Sequence, residues 1–439
     1  MSTPSKQPPT SARRRQTIVA TTIGNGLEFF DFTVYGFLAL VIGKLFFPTF
    51  NSYGQLLLTV ASFGVGFIMR PLGGIVIGAY ADRAGRKKAM TLTIFLMALG
   101  CALIAFTPTY ASIGVAAPII IVVARLIQGF SAGGEVGAST TLLVEHATPA
   151  NRGYMASWQF ASQGLGVLMG AVVVGALTVS LSTEAMQSWG WRVPFILGML
   201  IAPVGMYIRR HLEESLHISP EEAAAPRRQS SLAIVCTQHG KTVLAAILAL
   251  VGGTTAAYVV TFYMPTYAVR ELGLTPSVAL IGAAITGLIS FALAPFVGKL
   301  SDVVGRKPLI LWSRVALAIV IYPAFLWLNA SPTPTVLFVV LAALSVGLVA
   351  QTVPGITMLP EMFPKAVRAS GMSLVYSVGV ALFGGFAPFV STWLVNATGS
   401  KLAPAWYLVV MTVVSLLGLL WLRDHTGRDI DAANAHAPA

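Results

Sequence analysis

Between residues 17 and 422 the sequence is a succession of apolar blocks, each of a length that crosses a hydrocarbon layer of roughly 30 Å as a helix. The blocks fall at 17–43, 55–79, 89–107, 114–141, 154–178 and 192–208. After a polar break they resume at 241–268, 277–298, 308–329, 333–357, 369–396 and 402–422. Within lipid every backbone N–H and C=O must be satisfied internally, which leaves helices or closed barrels. Blocks of this length select helices. Of the 439 residues, 56% are hydrophobic and only 10% charged, far from a soluble average. The expectation is therefore an all-α, multi-pass integral membrane protein of twelve transmembrane helices. It divides into a basic tail (1–16), a six-helix bundle (17–208), a polar linker (209–240), a second six-helix bundle (241–422) and a short tail (423–439).

The net charge of +12 would suggest nucleic acid in a soluble protein. Here its placement excludes that partner. Lys44, Arg192, Arg270 and Lys401 fall between blocks on one face, and Arg70, Arg125 and Arg314 fall inside blocks. Every other Lys and Arg gathers on the opposite face. By the positive-inside rule that face is cytoplasmic and carries both termini. Arg13-Arg14-Arg15 before an apolar run imitates a signal peptide, but Glu28 and Asp31 interrupt the run, so a retained first helix is expected. Two cysteines, Cys101 and Cys236, make no disulfide framework. His211, His217 and His239 lie in the linker without a metal-ligand grouping, and no cofactor loop appears. Neither a metal nor a cofactor is expected.

Glu28 and Asp31 are the anomaly: two carboxylates one helical turn apart inside a membrane block. A charge at that depth costs at least about 2.5–3.5 kcal/mol and normally faces protein or a wet cavity. At about 1.5 Å per residue they lie roughly 16 and 21 Å along the first helix, with Arg125 near the same level and Glu135 deeper. An Arg offers a planar fork for a substrate carboxylate. An acid whose partner changes between conformations can take up and release a proton. Glu28, Asp31 and Glu135 are thus the expected proton-coupling groups, with Asp31 linked to substrate and Glu28 relaying toward Glu135. Arg125, with Asn25 and Gln128 from the same stretches, is expected to bind substrate. The competing reading is a set of permanent ion pairs. Arg70 is expected to pair with another helix or snorkel, and Arg314, near its helix start, to be a snorkelling anchor. The second half carries no comparable acid. It offers neutral groups instead: Thr255, Tyr258 and Thr261, spaced by three, with Gln351 and Tyr376. Gln159 and Gln163 face them from the fifth helix. Any one of these polar groups alone is an ordinary interhelical hydrogen bond.

The two halves look duplicated. Gly78-Ala79-Tyr80-Ala81-Asp82-Arg83-Ala84-Gly85-Arg86-Lys87 follows the second block, and Gly298-Lys299-Leu300-Ser301-Asp302-Val303-Val304-Gly305-Arg306-Lys307 follows the eighth in the same register. Glu145 and Arg152 recur with the same spacing as Glu361 and Arg368. Parallel repeats imply an axis along the membrane normal and a site between the halves near the midplane.

These loops resemble the G-x-x-x-D-R-x-G-R-K signature of the major facilitator superfamily. Gly78, Asp82, Arg83, Gly85, Arg86 and Lys87 supply the first copy; Asp302, Gly305 and Arg306 belong to the second, where Val303 replaces a basic residue and suggests a weaker conformational lock. The stretches Leu27–Phe32, Met69–Gly73, Arg125–Glu135, Ser157–Gln159, Trp189–Phe195 and Phe383–Pro388 are similar to the metabolite–proton symporter branch, above all its citrate and tricarballylate symporters. Phe29 departs, standing where the citrate type has Gln and the betaine type Trp. The resemblance implies a monomeric carrier of the bacterial inner membrane, with the first, fourth, seventh and tenth helices around a central cavity. It would take up a small organic anion with protons by alternating access. Substrates implied for other members of the branch are α-ketoglutarate, shikimate or a zwitterion such as proline or betaine. A membrane enzyme lacks a nucleophile–base constellation, and a transporter-like sensor lacks a signalling domain.

Overall fold

All described regular structure in the computed structural model is helical, over residues 11–48, 50–84, 86–133, 135–145, 147–200, 202–203, 231–364 and 367–428. Outside it fall most of the linker with His211 and His217, the lower part of the sixth block, Gly85, and both chain ends. The side chains of Asp82, Arg83, Arg86, Lys87 and Glu135, and the surroundings of Gly78, also lie outside the description.

The first block is α1 (Ser11–Phe37), bent by 63° into α2 (Ala39–Phe46) rather than continuous. Gly36 at the end of α1 abuts the Phe262 ring. Next come α3 (Ser52–Ala84), α4 (Arg86–Phe106), α5 (Ala116–Ala132) and α6 (Glu135–Glu145). The predicted 114–141 helix is thus interrupted near Gly133. Then follow α7 (Arg152–Ser180) and the short α8 (Val193–Gly198). The second half contributes α9 (Gly240–Arg270), α10 (Pro276–Val304), α11 (Arg306–Ala330), α12 (Pro334–Glu361), α13 (Arg368–Thr398) and α14 (Ala403–Trp421). Among the described residues eight helices are long and apolar enough to cross a membrane, and the bent α1–α2 pair makes a ninth if taken as one span. Apolar residues such as Phe95, Phe296, Trp312, Ile319 and Trp421 are exposed outward, an arrangement suited to lipid rather than water.

Glycine decides how closely the helices cross. In α3 and α5, Gly66 and Gly129 touch backbone to backbone: a Cβ on Gly129 would lie 1.6 Å from the Gly66 carbonyl oxygen. Close approach of this kind is how helices gain dispersion contacts when lipid offers no hydrophobic drive. The same device joins the halves. α7 and α10 make the most extensive helix contact described, crossing at Gly153 with Gly298 and at Gly164 with Gly287. Two π-turns, Val259–Tyr263 and Val380–Gly385, interrupt α9 and α13. Such turns mark functional positions.

Gly287→Val should lower the thermal midpoint of the purified protein markedly, because even a Cβ there would meet the Leu168 backbone nitrogen at 2.6 Å and overpacking costs about 1–3 kcal/mol or more. Gly240→Ala, with nothing within 4 Å of the added carbon, should leave the midpoint unchanged. Equal midpoints for both variants would show that the α7–α10 crossing is looser than described.

Candidate functional site

Seven helices from both halves wall a cavity of about 60 Å³. α1 contributes Phe29, α7 Phe160 and Gln163, and α9 Thr254, Tyr258 and Thr261. α10 contributes Ser290, α11 Arg314, α12 Gln351 and Thr352, and α13 Tyr376. A water needs about 10–15 Å³ of such space, so the cavity holds a few waters, whereas ligand pockets run to roughly 300–1,000 Å³. The conformation is contracted, and the halves touch on both sides of the cavity. On one side Phe63 packs on Phe262 with centroids 5.4 Å apart, Phe67 on Tyr258 at 5.3 Å, and Arg270 lies 5.6 Å over Tyr53.

On the other side is an ionic lock. Asp302, at the end of α10, accepts from the backbone N–H groups of Gly153 (2.8 Å) and Tyr154 (3.0 Å) at the N-terminus of α7, where the helix dipole favours an anion. Arg306 bridges Asp302 (2.8 Å) and Glu361 (3.3 Å), and Arg152 also reaches Glu361 at 2.9 Å. Gly305 turns the chain between them at φ +104°, a conformation that favours glycine. Val303, expected to weaken this copy of the motif, is 85% exposed and takes no part; the lock is made without it. The repeated Glu145 and Arg368 pair with each other across the halves at 3.6 Å.

The acids of α1 form two separate buried clusters. Asp31 accepts from Gln128 Nε2 (2.6 Å) and Cys101 Sγ (3.2 Å), and lies 3.5 Å from Arg125 Nη1. Arg125 donates to Gln128 Oε1 (2.8 Å), closing a ring, and its guanidinium rests 3.6 Å over Tyr35. Glu28 lies 3.6 Å from Arg70, whose guanidinium stacks on Phe67 at 4.2 Å and Phe32 at 4.8 Å. The Glu28–Arg70 pair is close enough for its charges to act on the hydroxyls of both Tyr258 and Tyr376 in the cavity wall.

The expected substrate set divides accordingly. Gln163, Tyr258, Thr261, Gln351 and Tyr376 line the cavity. Arg125 and Gln128 do not; they are turned into the Asp31 cluster between α1, α4 and α5, and no described residue of the fourth block lines the wall. Asn25 and Gln159 are absorbed by each other, with Asn25 Nδ2 donating to the Gln159 carbonyl (3.0 Å) and Ser162 Oγ (2.6 Å), and Gln159 Nε2 to Asn25 Oδ1 (2.9 Å). Thr255 donates to the Phe383 carbonyl at 3.0 Å. These bonds turn Asn25, Gln159 and Thr255 toward neighbouring helices rather than the cavity.

Arg314 is the residue sequence reasoning misplaced. It does not snorkel; it is 3% exposed and lines the cavity. Its Nη2 donates to the Ala249 carbonyl (2.5 Å), its Nη1 to the Ser415 carbonyl (3.2 Å) and its Nε to Gln351 Oε1 (3.3 Å). A signal was available: Ile310, Arg314, Leu317 and Ile321 recur at helical spacing, and all four are buried. Thr352, a neutral polar group of the second half next to Gln351 in sequence, lines the cavity as well. Three buried polar atoms in this wall, Gln163 Nε2, Gln351 Nε2 and Thr352 Oγ1, have no hydrogen-bond partner. Leaving each unmade costs about 1–3 kcal/mol, which a ligand rich in acceptors would recover.

The family model described as Major Facilitator Superfamily matches residues 21–302 and again 270–437. The citrate-proton symporter of Salmonella typhi is 37% identical over 420 residues, 96% of each chain. That of Klebsiella pneumoniae is 36% identical over 92% of this chain and 91% of its own. The proline/betaine transporter of Salmonella typhimurium is 32% identical, covering 96% of this chain and 86% of its own. A partially occluded inward-open structure of the xylose transporter XylE from E. coli superposes with a TM-score of 0.77 at 17% identity, over 95% of this chain and 100% of that one. That likeness speaks for the fold.

Asp31→Asn should lower the stability of the folded protein by about 3–5 kcal/mol, since it leaves Arg125 buried without a counter-charge. Asp31→Asn combined with Arg125→Met should recover part of that loss. Urea or thermal unfolding of the purified variants decides it: additive losses would mean the two groups do not form a pair.

Proposed function

We propose that this chain, which belongs to the Major Facilitator Superfamily, is a secondary transporter that imports a di- or tricarboxylate such as citrate together with protons. The observation that carries this reading is the cavity between the halves, where an arginine and unpartnered donors converge while every buried carboxylate named above is held outside it. Such a wall suits an acceptor-rich anion. The citrate-proton symporters at 36–37% identity over nearly the whole chain support the same class. Moving one negative charge into a cell costs about 2.3 kcal/mol per 100 mV of inside-negative potential, so an anion importer gains by carrying protons. Glu28 is the acid best placed to couple, because its Arg70 partner acts on Tyr258 and Tyr376 of the cavity wall and can be drawn toward a bound anion. Asp31 keeps a second proton-accepting site behind it, and Glu135 extends the path. We assign the face of Arg152, Asp302, Arg306 and Glu361 to the cytoplasm, with both termini there, twelve spans in two six-helix bundles, and a monomer in the bacterial inner membrane. The ionic lock and the aromatic seal then open alternately around the cavity.

A zwitterion is the second reading. Phe29, Phe160, Tyr258 and Phe262 border the cavity, and aromatic faces bind quaternary ammonium groups; proline/betaine transporters are among the relatives.

Uptake of labelled citrate and betaine by cells expressing the protein separates the two. Citrate should accumulate, faster at acidic external pH, and a protonophore should abolish accumulation. Betaine uptake without citrate uptake would establish the second reading. Glu28→Gln should lose accumulation against a gradient while retaining exchange of labelled for unlabelled substrate; undiminished accumulation would remove Glu28 from coupling.

A further inference from the structure

Six arginines are buried among the described residues, and five of them have a carboxylate. Arg70 has Glu28, Arg125 has Asp31, Arg152 and Arg306 share Glu361, and Arg368 has Glu145. Arg314 has none within ion-pair distance among the described residues; its neighbours are two backbone carbonyls and an amide oxygen. A guanidinium stays charged at any physiological pH, and a buried charge without a counter-charge is strongly unfavourable. This charge nonetheless sits inside the cavity wall.

We propose that Arg314 is the residue that binds the substrate's carboxylate, in a cradle completed by Gln351 and Thr352. The proposal rests on the transport reading above and assigns its anion site to α11 and α12 of the second half, in place of Arg125. The geometry is that of a prepared receptor. A guanidinium has five N–H donors. Three are taken, by Ala249 of α9, Ser415 of α14 and Gln351, which holds the head rigid between helices and leaves two N–H groups for a carboxylate. Because Gln351 Oε1 accepts from Arg314, its Nε2 is left free to donate, and that atom has no partner. Thr352 Oγ1, the next residue along α12, has none either. Gly253 faces the pair from α9, where a Cβ would already lie 3.7 Å from Arg314 Nη2 and 3.9 Å from Gln351; a larger side chain would cover the head. The bound anion therefore supplies the counter-charge that Arg314 alone among the described buried arginines lacks, from the half opposite the Glu28–Arg70 pair.

Purified full-length protein is titrated with citrate, tricarballylate and betaine, following ligand-induced thermal stabilisation, and half-saturation of uptake is measured in proteoliposomes. Arg314→Lys keeps the charge but loses the fixed fork, and should raise half-saturation for citrate about 10- to 100-fold with maximal rate largely retained. Thr352→Val removes an unpartnered hydroxyl, so folding is unaffected, and should weaken citrate about 2- to 10-fold. A purely structural role for Arg314 would shift the ligand-free midpoint while leaving half-saturation where it was. If both variants saturate as wild type does, the cradle is overturned and the transport reading stands. If wild type responds to none of the three carboxylates, the transport reading falls and the cradle with it.

Discussion

A guanidinium inside an apolar bundle has to be met by opposite charge or by a full set of acceptors, and the architecture follows from how this chain meets that demand. Desolvating a charge costs several kcal/mol unless geometry and hydrogen bonds repay it. Arg70 and Arg125 each take a carboxylate of α1, binding α1 to α3 and to α5. Arg152 and Arg306 converge on Glu361 and tie α7 to the ends of α10 and α12 across the halves. Arg314 is satisfied only by dipoles. Charge pairing therefore orders the protein: pairs inside the first half, pairs between halves at one face, and an open position at the centre.

The interface between halves is built for two different behaviours. At Gly164 and Gly287 the backbones of α7 and α10 touch, and no side-chain adjustment can separate them by a small amount. At the faces the contacts are of kinds that exchange with little loss. Ion pairs among Arg152, Asp302, Arg306 and Glu361 can be replaced by water, and rings such as Phe63 and Phe262 can slide. The chain beyond α14 belongs to the same face: Asp424 accepts from the Lys307 backbone N–H and His425 Nδ1 hydrogen-bonds the Glu361 carbonyl. The π-turns in α9 (Val259–Tyr263) and α13 (Val380–Gly385) belong to the aromatic side, where a Cβ on Gly384 would meet the Tyr258 ring at 2.8 Å and one on Gly385 the Phe67 ring at 2.5 Å. A rigid crossing flanked by exchangeable contacts thus lies beside the contracted cavity of about 60 Å³.

Much of this was legible before any tertiary contact was known. Length and hydropathy located the apolar helices, because a bilayer imposes one period and one length on every block. The asymmetry of Lys and Arg pointed to one ionic face, and the repeated Gly-x-x-x-Asp and Glu-x6-Arg patterns contain the residues that pair there, Asp302, Arg306, Glu361 and Arg152, with Glu145 and Arg368 as a second pair. Asp31 and Arg125 were rightly placed at one level, since rise per residue alone sets depth. Direction was not legible. The spacing of Ile310, Arg314, Leu317 and Ile321 puts Arg314 on a buried face, but nothing local says that Arg125 is turned into a ring with Asp31 and Gln128 and Arg314 toward the cavity. The same holds for Gln159 and Gln163, one turn apart, of which one is absorbed by Asn25 and the other faces open space.

The sequence by itself thus determined the class of fold, the depth of each charge and the duplicated loops, because these depend on distance along the chain and on the cost of placing polar groups in lipid. The tertiary structure alone decided which charge neutralises which, where α1 bends and the fourth block breaks, and which polar atoms are left without partners. Those outcomes depend on rotation about helix axes and on glycine contacts between helices distant in sequence, such as Gly66 with Gly129 and Gly164 with Gly287. Arg314 shows the division most clearly: its charge and depth are written in the chain, and its lack of a carboxylate is a property of the assembled bundle.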